Sequence, residues 1–345
     1  MAHRKRGLLL VNLGTPDAPK PPAVRRYLRE FLSDPRVVDL PAVPRWLLLH
    51  LIILPTRPAR SARAYRQIWL KEGSPLLVHS RALARAVADA VGTELEVELG
   101  MRYGNPSIAS AVAALRGKGV TELVVLPLYP QYAASTVAST QDEVMRVIAR
   151  SWDTLPVSFV PPFYDDEGFL GAVEAVAKET LGGDRPDHVL FSFHGVPERH
   201  IRKSDCGAGH CLSSVTCCAA IGPVNHRCYR AQSFATARLL AERLLLPEGA
   251  WSVSFQSRLG RTRWIEPHTD ATVVALAQKG VKRLAVVMPS FVADCLETLE
   301  EVAIRARAAF LGAGGEAFVF VPSLNAHPRW VETVMALARR TASRA

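Results

Sequence analysis

Short continuous apolar runs alternate along the chain with longer stretches whose apolar positions recur every three or four residues. The runs that suit strands are Leu8–Asn12, Glu94–Leu99, Leu123–Leu126, Val157–Val160, His188–Phe193, Ser252–Phe255, Leu284–Met288 and Ala317–Val321. Runs such as LLLV and LAVVM lack the polar alternation of a half-exposed strand and suit strands covered on both faces. Helical periods fill most of the gaps. The pattern therefore predicts a parallel α/β architecture, with ligands beyond the carboxyl ends of the strands.

The pattern also repeats. LLLVNLGTP (8–16) matches VLFSFHGVP (189–197) as a strand, two residues and Gly-x-Pro. ALRGKGVTELVVLP (114–127) matches ALAQKGVKRLAVVMP (275–289), with one residue more in the second copy. Each half then carries four strands in the same order. This predicts two related α/β domains, 1–165 and 166–345, with a helix near 328–343 packing back on the first. No Gly-x-Gly-x-x-Gly follows a strand and no Walker A pattern occurs, which argues against nucleotide binding.

Composition narrows the class. With 345 residues, 49% of them hydrophobic, the chain can bury one large core or two ordinary ones. The start, MAHRKRGLLLVNLG, has too short an apolar run for a signal peptide and reads as a first strand. A cytoplasmic location is expected, where structural disulfides are disfavoured. The net charge of +10 is spread along the chain, without a dense basic arm or an aromatic-plus-basic RNA motif. An anionic membrane surface or an acidic small molecule fits this better than nucleic acid. The most apolar stretch, 46–55, is too short to span a bilayer, which takes about 20 residues. Arg57, Arg60 and Arg63 follow it. Periodicity leaves two readings open: a buried helix, or an apolar lip on a membrane surface with arginines at headgroup level.

Three groups of residues could carry chemistry. His194 directly follows the strand HVLFSF and precedes Gly195. It reads either as a hydrogen-bonded structural histidine or as a general base or metal ligand. In VMPSFVADCLETLEEVAIR (287–305), Asp294, Glu297 and Glu301 stand at spacings that share one helical face. They are either ordinary helix-start acids or a carboxylate line for a hard cation or for protons. Five of the six cysteines crowd into 206–228 with the spacing C-x4-C-x5-C-C-x9-C. By spacing, zinc with His210 or His226, an iron–sulfur cluster and unliganded thiols all stay open.

Five motifs in order, Leu10-Val-Asn-Leu-Gly-Thr-Pro-Asp17, Tyr129-Pro-Gln-Tyr132, Ser192-Phe-His-Gly-Val-Pro197, Phe255-Gln-Ser257 through Trp264-x-x-Pro267-x-Thr269-Asp270, and Ala293-Asp-Cys-Leu-Glu-Thr-Leu-Glu300, span nearly the whole chain. Together they resemble the ferrochelatases, in the protoporphyrin-using Gram-negative form. The resemblance implies two Rossmann-like domains with the active cleft between them, and insertion of Fe2+ into protoporphyrin IX to give protohaem. It implies that His194 takes the pyrrole protons and helps hold iron. Glu297 would handle iron or protons, with Asp294 and Glu301 as an acidic relay. Leu13, Tyr132, Trp264 and Phe291 would wall the porphyrin, and Arg102 would meet a propionate. Animal and many Gram-positive members carry His where this chain has Cys295. The resemblance also adds weight to the lip, since the family docks peripherally on membranes, here on the inner face of the cell membrane. Oligomeric state stays open between monomer and homodimer. A coproporphyrin or sirohydrochlorin-type chelatase and a non-enzymatic iron–sulfur or zinc sensor are the alternatives.

The match to the family breaks after Lys203 and resumes near His226, so 204–227 looks like an insertion. Some ferrochelatases carry a [2Fe–2S] cluster. The resemblance therefore implies such a cluster on four of Cys206, Cys211, Cys217, Cys218 and Cys228. Adjacent Cys217 and Cys218 are expected to point apart. The favoured ligands are Cys206, Cys211 and Cys218, with Cys217 or Cys228 as the fourth, and the divergence of the adjacent pair favours Cys228.

Overall fold

A computed structural model describes residues 5–207, 209–258 and 262–343. Each of its eight strands overlaps one of the eight runs, the second ending later, at Gly104 instead of Leu99. β1 (Arg6–Thr15), β2 (Glu96–Gly104), β3 (Glu122–Pro127) and β4 (Val157–Phe159) form one sheet in the order β2-β1-β3-β4. β5 (His188–His194), β6 (Trp251–Gln256), β7 (Arg283–Val287) and β8 (Ala317–Phe320) form a second in the order β6-β5-β7-β8. All six pairings are parallel. The same strand order recurs in both halves, as the internal repeat requires.

Each sheet is covered by helices. On the first, Ile108, Val112 and Leu115 of the helix Ile108–Gly117 pack on Leu9, Val11, Leu123 and Val125. On the second, Val273 and Ala277 of the helix Thr269–Gln278 and the ring of Phe310 pack with Leu190, Leu284 and Val286. Fully burying a side chain of this size stabilises a fold by about 1.5–3 kcal/mol, which is why the central strands tolerate so few polar residues. Gly14, in the first motif, has φ +113°, and a Cβ there would lie 1.8 Å from the carbonyl oxygen of Tyr103. Only glycine lets β1 pass so close to β2 at that point.

The chain divides into two compact units. One comprises Met1–Tyr129, Ala134–Pro161 and Val331–Ala345; the other comprises Pro130–Ala133 and Pro162–Trp330. The apolar stretch lies in the first unit, in a helical run of Ala42–Leu47, a π-helical Leu48–Ile53 and Leu54–Ile68. Leu49 and Leu54 are buried in it, whereas Trp46, Leu47, Leu51 and Ile52 are exposed. Among the described residues no helix is long and apolar enough to cross a membrane.

Candidate active site

β5 is an inner strand of the second sheet and ends at His194, so the histidine stands at the carboxyl edge of a parallel sheet. Two bonds fix it there. Its N–H donates to Ser290 Oγ at 3.1 Å. Its ring Nδ1 lies 2.5 Å from the carbonyl oxygen of Gly195. A carbonyl can only accept, so Nδ1 carries the proton and Nε2 keeps its lone pair. Burial holds the imidazole below its usual 6.5, against the opposing pull of the Glu297 carboxylate and the Gly195 carbonyl. The rings of Trp264 and Phe291 flank it, with centroids 6.5 and 6.2 Å away.

Glu297 opens a π-helical segment, Glu297–Ala306. Burial pushes its carboxyl above the usual 4.5, and the charge of Glu301 adds to this; His194 pulls the other way. The two groups are pushed in opposite directions by the same loss of solvent. Glu301 accepts from Ser257 Oγ at 2.5 Å and faces Arg305 at 3.4 Å. Cys295 is buried beside them. Burial raises its thiol, and the charge and hydrogen bond of Glu297 raise it further.

The acidic line is corrected by the backbone. Asp294 lies in the irregular segment before the helix, so it does not share a helical face with Glu297. Its carboxylate accepts from Thr298 Oγ1 at 3.0 Å, from the Ser323 N–H at 3.2 Å and from Asn325 Nδ2 at 2.8 Å. It ties the 323–325 turn to the start of the helix and has little capacity left to pass protons.

The other candidates are spread out. Tyr132 belongs to the second unit, where its N–H donates to Gln232 Oε1 at 2.6 Å and Arg227 lies 5.9 Å from its ring. Leu13 and Arg102 belong to the first unit. The guanidinium of Arg102 donates to Asp34 Oδ2 at 2.6 Å and, through Nε, to Ser139 Oγ at 2.7 Å. Tyr103 and Ser139 also donate to Asp34 Oδ2. Arg102 is thus the cation of a buried network, with its Nε and one Nη2 hydrogen committed to Ser139 and Asp34.

The cysteine segment folds around Asp205, whose carboxylate accepts the N–H groups of Gly207, Gly209 and Cys211. Cys211, Cys217, Cys218 and Cys228 are buried, and Cys206 is exposed. The Sγ atoms of Cys217 and Cys218 lie 3.7 Å apart. The expectation that they point apart fails because 214–219 is a tight turn, not an extended strand. The free thiol of Cys228 hydrogen-bonds with those of Cys211 and Cys218, and Arg230 Nη1 lies 3.1 Å from Cys218 Sγ. Donating its S–H to Cys228, together with burial, pushes the Cys218 thiol up, against the charge of Arg230. Among the described residues no group of three or more His, Cys, Asp or Glu side chains is set to hold a metal ion.

Sequence reasoning did not single out Ser290, Gln256 or Ser257. Gln256 and Ser257 stand inside a quoted motif, and Ser290 directly follows the proline after β7, so position relative to the strand ends was the available signal.

Comparison with known proteins gives the family. The family model Ferrochelatase matches residues 5–342. The chain is 51% identical over 333 residues to a ferrochelatase of Azotobacter vinelandii, covering 96% of this chain and 98% of that one. It is 48% identical over 339 residues to a ferrochelatase of Coxiella burnetii (98% and 94% covered). Among solved structures, SirB from Bacillus subtilis with Fe3+ shares the fold at TM-score 0.58 and 14% identity, over 99% of this chain and 96% of that one. The sirohydrochlorin chelatase SirB of Bacillus subtilis subspecies spizizenii, in complex with cobalt, follows at TM-score 0.55 and 14% identity, with the same coverage. These two likenesses concern the fold alone. The agreement of the family model with full-length relatives at about half identity, on a pair of parallel four-stranded sheets, means that the chain belongs to the ferrochelatase family and is a metal chelatase of haem synthesis.

Proposed function

We propose that the chain inserts Fe2+ into protoporphyrin IX, with His194 as the base and Glu297 as its partner in handling iron and protons. The observation that carries this reading is the bond between His194 Nδ1 and the Gly195 carbonyl, which leaves Nε2 unprotonated at a strand end. Pyrrole N–H groups are very weak acids inside a flat ring. Two protons must leave as the metal enters, and a neutral imidazole can take one at Nε2 and pass it on before taking the second. A raised Glu297 can receive such a proton or face the incoming cation. Trp264 and Phe291 flank the histidine and suit the face of a large apolar disc. Glu301 remains the candidate second carboxylate; Asp294 is better read as structural. Leu13 and Tyr132 remain candidate wall residues. Arg102 supports its own unit through Asp34 and is a poor free receptor for a propionate. The test is haem formation from Fe2+ and protoporphyrin IX under anaerobic conditions, with coproporphyrin as the competitor substrate; faster turnover of coproporphyrin would overturn the substrate assignment.

A [2Fe–2S] cluster on the cysteine segment is the second part of this reading. Soft thiolates are the donors such a cluster takes, and burial favours Cys211, Cys217, Cys218 and Cys228 over the exposed Cys206. The thiols converge in pairs without a formed metal cage, so no step of the reaction is assigned to the cluster. When bound it would clamp the segment. Metal insertion itself transfers no electrons.

The exposed residues Trp46, Leu47, Leu51 and Ile52 support docking on an anionic membrane surface, with the exposed Arg60 and Arg63 nearby in sequence. This fits a chelatase working at the cytoplasmic face of a membrane on a poorly soluble substrate.

A further inference from the structure

We propose that Gln256 is a positioning residue that holds the two halves of the reactive pair, the His194 turn and the Glu297 turn, at a fixed separation. This rests on the reading of His194 and Glu297 given above. Gln256 is the last residue of β6 and is 5% exposed. It is the register partner of His194 across the β5–β6 pairing. Its backbone carbonyl accepts the Gly195 N–H at 2.7 Å, which pins the turn carrying the histidine. Its side-chain Nε2 donates to the backbone carbonyl of Glu297 at 2.8 Å, which pins the first residue of the π-helical segment.

The bracket is itself held. Ser192 Oγ donates to Gln256 Oε1 at 2.7 Å, so the amide cannot turn over without losing that bond. Ser192 Oγ is bonded in turn to Thr269 Oγ1 at 2.9 Å, and Thr269 to Ser254 at 2.8 Å. All four side chains are buried. A buried polar chain of this kind is rigid only when each member is satisfied. The approach is also close: a Cβ on Gly195 would lie 2.7 Å from the Gln256 carbonyl oxygen. Next in sequence, Ser257 has φ +69° and donates to Glu301, so two successive residues reach both glutamates of the π-helical segment. Glutamine suits this position because it accepts from Ser192 and donates to Glu297 through one planar group. Neither Glu, with no donor when ionised, nor Met, with no amide, can do both.

The test compares Gln256→Met, Ser192→Ala, their double variant and His194→Ala in the full chain, assayed with Fe2+ and protoporphyrin. A misplacement of about 1 Å costs on the order of a hundredfold in rate. Gln256→Met is expected to lower kcat about 10- to 100-fold while KM for porphyrin stays within about twofold. Ser192→Ala should give a smaller loss of the same kind, and the double variant should be no worse than Gln256→Met, since both act through one chain of bonds. Wild-type kcat in Gln256→Met, or a loss in KM alone, overturns the bracket while leaving the chelatase reading intact. So does a loss in Gln256→Met that disappears when the assay is run well below its thermal midpoint. An equal, independent loss in the double variant overturns the shared chain. His194→Ala with the wild-type rate overturns the underlying reading instead.

Discussion

His194 and Glu297 are set against each other by a single cause. Burial lowers the imidazole and raises the carboxyl, while each resists the other's shift through its charge. The shifts bring the two groups toward a common range.

The sign of the pH effect follows. On the proposed reading the base is the neutral imidazole of His194, which burial holds below 6.5. Catalysis should rise as pH increases through that lowered value and be already complete near neutrality. The acid limb of kcat/KM for iron insertion is therefore expected with a midpoint under 6.5, and it belongs to the coupled pair, not to one residue. An acid limb centred above 6.5 would mean that burial does not dominate at His194.

Asp34 should be a stability residue of the first unit. Burial raises its carboxyl, but hydrogen bonds from Ser139, the Arg36 N–H and Tyr103, together with the charge of Arg102, outweigh this and leave it below 3.8. Asp34→Ala strands a nearly buried guanidinium, which costs about 3–5 kcal/mol. Chemical denaturation should show that loss at neutral pH. Because the folded pKa is depressed, the contribution is present above 3.8 and fades as pH falls through the lower folded value. The gap between wild type and variant should narrow there.

The exposed lip predicts surface binding that needs both apolar contact and charge. Replacing Trp46 and Leu51 together by Ser removes two large side chains, each of which gains about 1.5–3 kcal/mol on full burial. Sedimentation with vesicles containing anionic lipid should show at least about a tenfold loss of binding. Vesicle binding equal to wild type would assign this face another role.

Much of this was legible in the sequence, for a physical reason. Parallel strands covered on both faces read as continuous apolar runs, and Leu8–Val11 and Leu284–Val287 are of this kind, which made the inner strands legible. His194 was legible because it directly ends such a run. Asp294 was misread because spacing was counted on an α-helix, whereas the chain there is irregular and then π-helical, and widening a helix to i→i+5 leaves no mark in residue type. The pairing of Cys217 with Cys218 was missed likewise, since a tight turn changes where neighbours point. Gln256 was visible only as a letter in a motif; its use depends on β6 lying beside β5, which is a fact of topology.

The cysteine segment makes a separate prediction. Anaerobically purified protein should be red-brown, with about two iron and two sulfide per chain. Cys218→Ser should lose colour and iron together, whereas Cys206→Ser should keep both, since Cys206 alone of the five is exposed. Loss of the chromophore in Cys206→Ser would restore the exposed thiol to the ligand set.

The most direct measurement is the rate of haem formation from Fe2+ and protoporphyrin IX by His194→Ala, with circular dichroism on the same sample to verify the fold. A positioned general base contributes about 10²- to 10⁴-fold, so a folded His194→Ala protein should be at least about a hundredfold slower than wild type. A folded His194→Ala protein that inserts iron at the wild-type rate would contradict the assignment of His194 as the base.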